Sequence, residues 1–386
     1  MKKRNYNIIV FCLSALFIMS GWISKPLLSD SKNAVLHFFD TLNIETFIDE
    51  VEAASKNLSY KNTLIDTYSL YYRITDTKVV EKEDSTIVRM KNDYLAFDNE
   101  KLTDSDFEQM ANSTLELKEV TDSLQIPFVY VMVPTKLYFE NDSNLYYNYE
   151  SFSSKLESLD IDVLNLAEKM EEQNLSMEDY YFVTDHHWLP ETGFWATNEL
   201  RKKLTEDYQL TFESQVNELD NYTLHVYEDM FLGSIGKKTG KYFTPLGLDD
   251  ITMITPDFET NLTVIDDRGT TEGDFQKTLL NTSAFTSDDY YTTNPYAAYS
   301  YGDFGLQVIK NHFASEDAPE IVVIRDSYAC VVTPFLSLGS DTLHILDVRY
   351  WEPTESAATI SEYIESVDPD CVVILYSLIK PDVFNF

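Results

Sequence analysis

A carboxylate and two imidazoles stand side by side in Asp185-His186-His187-Trp188, the densest run of proton-transfer groups in the chain. Residues two apart on an extended backbone point to the same side, so this spacing pairs Asp185 with His187 and turns His186 elsewhere. A carboxylate beside an imidazole fixes its tautomer, orients the ring and stabilises the imidazolium that forms when it accepts a proton. Those are the requirements of a general base. The plainer reading is a hydrogen-bonded structural histidine, with Asp185 capping the helix that Pro190 opens. A second histidine and Trp188 in the same tetrapeptide weigh against it. His-His with Asp also has the donors of a metal site. No further ligand stands at a recognisable spacing, however, and neither Cys-x-x-Cys nor His-Glu-x-x-His occurs, so no metal and no cofactor is expected.

The second signal is Ile321-Val322-Val323-Ile324-Arg325-Asp326-Ser327-Tyr328-Ala329, an apolar strand running into a short polar turn and then an apolar helix. That layout presents a serine at the end of a sheet, with the first helical N–H groups free to hold an oxyanion. Gly-x-Ser-x-Gly is absent, and Asp-Ser before a helix is by itself more often an N-cap. An Asp-x-His unit at another predicted strand end changes the balance, because all three groups are then supplied at one edge of the sheet. Ser327 is the expected nucleophile, His187 its base and Asp185 the group that orients the base. Lys136 follows a strand end, and Arg349 and Tyr350 follow another, although a solvated lysine is the plain alternative for Lys136. With Arg325 and Tyr328 beside the serine, and Tyr301 from a cluster that includes Tyr290, Tyr291, Tyr296 and Tyr299, they form the expected substrate-binding set. Aromatic rings stack on sugar faces, so the cluster reads as a glycan lid or, equally, as a long loop packed onto the core.

These residues need elements to hold them. A helix over residues 104–124 leads into the apolar run 128–133, which Pro134 stops. Similar runs recur at 161–164, 181–183, 262–265, 321–324, 343–346 and 372–375, several of them separated by helix-length segments such as 190–206 and 328–338. Strands alternating with helices imply an α/β fold, a mostly parallel sheet covered by helices on both faces. Chemistry in such sheets gathers at the carboxyl ends of the strands.

The chain has 29 basic and 65 acidic side chains, a formal charge of -36, with the acids scattered along its length. Nothing here could neutralise a phosphate backbone, so nucleic acid is excluded as a partner. Three cysteines are too few for a disulfide scaffold, and Cys330 and Cys371 are expected as buried thiols. Lys2, Lys3 and Arg4 precede an uncharged apolar stretch over residues 8–23, followed by Lys25-Pro26. This pattern predicts a signal anchor over residues 1–24, a single-pass membrane protein with its body outside the cell. Residues 25–90 read as a stalk or helical lead-in and 91–386 as the catalytic domain.

Asp185-His186-His187-Trp188 is the tetrapeptide that names the DHHW family, and the sequence resembles these SGNH hydrolase-like proteins. It is also similar to the alginate O-acetyltransferases, in which an Asp-x-His pair precedes the nucleophile serine. The resemblance runs through Val133-Pro134-Thr135-Lys136, Gly233-Ser234, Tyr296 with Tyr301-Gly302, Arg325-Asp326-Ser327-Tyr328 and Asp347-Val348-Arg349-Tyr350. It implies an O-acyltransferase that modifies a cell-envelope polysaccharide, with a membrane-bound O-acyltransferase as the partner supplying the acyl group. A carbohydrate esterase using the same residues, or a non-catalytic polysaccharide-binding scaffold, are the alternatives. Where many SGNH enzymes have glycine before Asp-Ser this chain has Arg325, so the oxyanion hole is expected to be built differently.

Overall fold

The computed structural model describes residues 61–377 apart from 83 and 355. The chain divides into two compact units between Tyr71 and Tyr72, and helix α1 (Lys61–Ile74) begins in the first. Along the second unit follow β1 (Val79–Glu81), β2 (Thr86–Arg89), β3 (Leu95–Asp98), α2 (Asp104–Leu124), β4 (Phe128–Val133), α3 (Asn144–Ser158), β5 (Val163–Asn165), α4 (Leu166–Glu172) and α5 (Pro190–Tyr208). Its second half contains β6 (Tyr222–Phe231), α6 (Ser234–Thr239), β7 (Asp249–Pro256), β8 (Leu262–Asp266), β9 (Gly269–Gly273), α7 (Phe275–Leu279), β10 (Leu306–Asn311), β11 (Glu320–Arg325), α8 (Thr333–Ser337), β12 (Thr342–Leu346), α9 (Ile360–Val367) and β13 (Cys371–Ser377).

Eight strands form the central sheet in the order β5-β4-β13-β11-β12-β10-β8-β9. The first five run parallel and the last three antiparallel, so the sheet is mixed. The antiparallel edge includes a hairpin, β8 to β9, closed by the short turn at Asp267-Arg268. Alternation along the central strands explains why their sequences are apolar throughout. Val129, Val131, Ile321, Val323, Val373 and Leu375 face Phe194, Leu200 and Leu204 of α5 and Phe335 of α8. Their neighbours Tyr130, Met132, Val322, Ile324, Val372 and Ile374 face Met110 of α2, Phe152 and Leu156 of α3 and Ile360 and Ile364 of α9. Both faces are covered, the condition under which a parallel sheet reads as continuous hydrophobic runs.

Three expectations change. The run at 181–183 is not a strand; Tyr181 makes a single bridge to Trp188 across a tight loop. The predicted helix over 328–338 is a 3-10 turn, Ser327–Val331, followed by the short α8. The single-pass membrane placement is also corrected. Among the described residues no helix is long and apolar enough to cross a membrane, and the stretch 8–23 lies outside them. The longest described helix, α2, is long enough but carries charges toward both ends, among them Asp104, Asp106, Glu108, Lys118 and Asp122.

Candidate active site

β11 ends at Arg325 at the carboxyl edge of the parallel strands, and the turn after it is fixed by the buried Asp326. Its carboxylate accepts the N–H of Tyr328 at 2.9 Å, and both the N–H and hydroxyl of Ser377, at the end of adjacent β13, at 2.8 and 2.6 Å. Asp326 is thus the N-cap expected of an aspartate before a helical turn. The effect is to present Ser327, which is partly exposed while its neighbours on both sides are buried. Among the described residues no acceptor takes the Ser327 N–H.

The second segment is the loop between Tyr181 and Trp188. Asp185 Oδ1 accepts the backbone N–H of His187 at 3.0 Å and its Nδ1–H at 2.5 Å, so a local turn, not an extended strand, pairs the two side chains. His187 Nε2 is left to accept the hydroxyl of Ser327, 2.7 Å away. Asp185 Oδ2 accepts the N–H of Ser234 at 2.5 Å. Burial alone would raise the Asp185 carboxyl, but the imidazoles of His187 and His186 and these donors outweigh it and hold the group well below the usual carboxylate range. Two cross-links join the segments: Trp188 Nε1–H donates to Tyr328 O at 3.0 Å, and the Tyr328 hydroxyl donates to His186 O at 2.6 Å.

Behind this loop lies a buried clamp. Asp249 accepts from Val183 N at 2.5 Å, Thr184 N at 2.8 Å and Thr184 Oγ1 at 2.5 Å. Lys136 Nζ donates to the carbonyls of Phe182 and Val183 at 2.7 and 3.2 Å. Burial pushes the Asp249 carboxyl up and the Lys136 ammonium down. Gly233 completes the packing: a Cβ there would lie 2.2 Å from Asp185 Cβ, so only glycine lets the two backbones meet.

Asp185, His187 and Ser327 are therefore brought together, and the other expected site residues are distributed differently. Lys136 is 2% exposed and spends its ammonium on the loop before Asp185, not on solvent. Arg325 is likewise buried. It pairs with Asp303, donates to Gly302 O at 3.1 Å and lies 3.8 Å from Asp347, so it anchors the loop before β10. Arg349 holds Asp347 at 2.8 and 2.5 Å and reaches Asp303 at 3.4 Å. Tyr350 is exposed, Tyr328 is wholly buried, and Tyr301 lies under the Arg268 guanidinium at 3.8 Å. Cys330 and Cys371 are free, buried thiols.

His186 departs furthest from its expected place. Its ring centroid lies 3.7 Å from that of His187, and its Nδ1 pairs with Ser234 Oγ at 2.8 Å. Burial, reinforced by His187, pushes its pKa down to about 3, so it stands neutral. It lines a pocket of about 30 Å³ with Ala96, Phe97, Thr135, Leu137 and Tyr328. Tyr296, expected only in the tyrosine cluster of a glycan lid or packed loop, stacks its ring on His187 with centroids 4.1 Å apart, and no role was expected for Ser234 or Asp249. Gly233-Ser234 stands only among the blocks of family resemblance. Asp185, His186 and His187 also place ligand atoms within 4.8 Å of one another, close enough for a metal. Both oxygens of Asp185 and both nitrogens of His187 already serve hydrogen bonds, which a metal would have to displace.

Residues 87–230 match the family model described as "SGNH hydrolase-like domain, acetyltransferase AlgX", a span that contains Asp185 and His187 but not Ser327. No curated protein sequence matches the chain. Among solved structures, Bacillus cereus PatB1 with a sulfonyl adduct is similar at a TM-score of 0.63 and 20% identity, over 79% of this chain and 99% of that one. A DHHW family protein from Eubacterium siraeum is similar at a TM-score of 0.52 and 15% identity, over 77% of this chain and 91% of that one. At such identities the likeness is one of fold. Over residues 87–230 the chain thus resembles an SGNH hydrolase-like acetyltransferase domain, set in a fold similar to that of a DHHW family protein.

Proposed function

We propose that the protein is a serine-dependent O-acyltransferase that carries its acyl group on Ser327 and delivers it, as an acetyl ester, to a polysaccharide hydroxyl. The observation that carries this reading is the unbroken relay from Ser327 Oγ through His187 to Asp185, with contacts of 2.7 and 2.5 Å. In the first half-reaction Ser327 Oγ attacks the acyl carbonyl while His187 Nε2 takes its proton. The charge of Asp185 stabilises the imidazolium. Developing negative charge on the carbonyl oxygen falls to the Ser327 N–H, which has no other acceptor among the described residues. His187 returns the proton to the leaving oxygen, and the acyl-enzyme remains. In the second half a sugar hydroxyl gives its proton to the same nitrogen and attacks the acyl carbonyl, and His187 returns that proton to Ser327 Oγ as it leaves. The match to an acetyltransferase domain and the likeness to PatB1, one structure of which holds a sulfonyl adduct, support transfer. The test is partition: with an aryl acetate as donor, added oligosaccharide should be acetylated faster than water hydrolyses the ester. Hydrolysis unaffected by any sugar acceptor would reject transfer.

A further inference from the structure

We propose that Tyr296 is a positioning residue that stabilises His187 in its protonated form during acyl transfer; the proposal rests on the reading of His187 as the base. Tyr296 opens a short 3-10 turn after Pro295 and is 1% exposed. Its hydroxyl donates to the carbonyls of Ser327 and Tyr328, at 3.2 and 3.1 Å, so one end of the ring is tied to the backbone of the nucleophile turn. Phe182 packs edge-on against it at 6.2 Å. Held at these points, the ring lies nearly parallel to the imidazole of His187, with 13° between the planes and 4.1 Å between centroids.

That geometry has a direction of effect. The face of a phenol ring is electron-rich, and it attracts an imidazolium more strongly than a neutral imidazole. The contact therefore strengthens as His187 takes the Ser327 proton, which is the condition for an interaction to speed a reaction and not merely bind. The titratable groups facing His187 are Asp185, His186, Tyr296 and Tyr328. His186, on the imidazole's other side, is neutral and does not oppose the charge. The ammonium groups of Lys136 and Lys237 act on Asp185 and oppose it weakly from behind. Tyr296 thus joins two tasks: its hydroxyl sets the serine turn and its face favours the charged base.

The test is the pH dependence of Ser327 modification by phenylmethylsulfonyl fluoride, for the unsubstituted protein, Tyr296→Phe and Tyr296→Leu. Tyr296→Leu should lower the midpoint of the acid limb by about half a unit to one unit and slow the plateau rate roughly tenfold. Tyr296→Phe keeps the face and should keep the midpoint. Where Tyr296→Leu does not fold, phenylalanines with increasing ring fluorination at position 296 preserve shape and should lower the midpoint stepwise. An unchanged midpoint in Tyr296→Leu, or across the fluorinated series, overturns the proposal alone. Absence of any Ser327 adduct in the unsubstituted protein overturns the acyl-enzyme reading and this proposal with it.

Discussion

Gly233→Ala tests whether the meeting of two backbones sets the position of Asp185. The added methyl would lie 2.2 Å from Asp185 Cβ, 2.4 Å from its Cα and 2.5 Å from its N. Carbon atoms prefer about 3.5 Å or more, so the segments must part by roughly 1 Å. No flexible side chain can yield, because Cβ, Cα and N of Asp185 move only with the backbone. The hydrogen bonds at stake are Gly233 N–H to Thr184 Oγ1 at 2.8 Å, Ser234 N–H to Asp185 Oδ2 at 2.5 Å and Gly236 N–H to Thr184 O at 2.9 Å. Overpacking costs about 1–3 kcal/mol, and walls this rigid put the cost near the upper figure. A misplacement of about 1 Å in the relay lowers reactivity by roughly 10²-fold. The assay is the rate of Ser327 labelling by a sulfonyl fluoride, read beside thermal unfolding. Ser234→Ala is the comparison: it keeps the N–H that serves Asp185, loses only the bond to His186, and should label within several-fold of the parent. Gly233→Ala labelling at the parental rate with an unchanged melting temperature would refute the packing argument.

Removing the Lys136 ammonium should be costly because it strips the Phe182 carbonyl of its donor, leaves the Val183 carbonyl only the Leu95 N–H, and leaves Asp249 buried without a facing cation. Lys136→Met should lose about 3–5 kcal/mol in urea unfolding, and Asp249→Asn added to it should cost less than the separate losses combined. Arg325→Met should be destabilising by a similar about 3–5 kcal/mol, yet its folded fraction should label Ser327 close to the parental rate, as befits an anchor of Asp303. His186 gives a pH signature. Its folded pKa is depressed from 6.5 to about 3, so unfolded chains bind a proton that folded ones refuse. Its contribution to stability is therefore complete above pH 6.5 and is lost as pH falls toward 3. His186→Asn should flatten that slope in acid denaturation, and the buried His344, also depressed, should leave a residual slope.

What the sequence made legible was what burial forces on composition. β4, β11, β12 and β13 are covered on both faces, so their runs are apolar throughout and easily found. β6 escaped notice because most of its residues are exposed, so Leu224 and Val226 stand between polar neighbours and form no apolar run. The apolar run at 181–183 looked like a strand, but Asp249 takes the N–H groups of Val183 and Thr184, leaving a loop pinned by a side chain. At the site, Asp-x-His and Asp-Ser were readable because each uses local geometry. The pairing of Asp185 with His187 was right for a different reason, a turn closed on the His187 N–H, and that same turn brings His186 alongside instead of away. That Lys136 and Arg325 are buried was not legible, because a sequence does not reveal which cations lie inside. Asp249 and Tyr296 reach the site from distant segments, and no spacing rule links them to it. The tyrosine cluster divides accordingly: Tyr296 and Tyr299 are core, packed as a loop would be onto the sheet.

The central claim is that Ser327 is a nucleophile activated by His187 and Asp185. Its most direct measurement is intact-mass and peptide mass spectrometry after exposure to phenylmethylsulfonyl fluoride, for the parent, Ser327→Ala, His187→Ala and Asp185→Asn. The parent should gain one sulfonyl group, mapped to Ser327. Ser327→Ala should gain none, His187→Ala should react slower by orders of magnitude, and Asp185→Asn should also be slowed. An adduct elsewhere in the parent, or labelling of His187→Ala at the parental rate, would contradict the account.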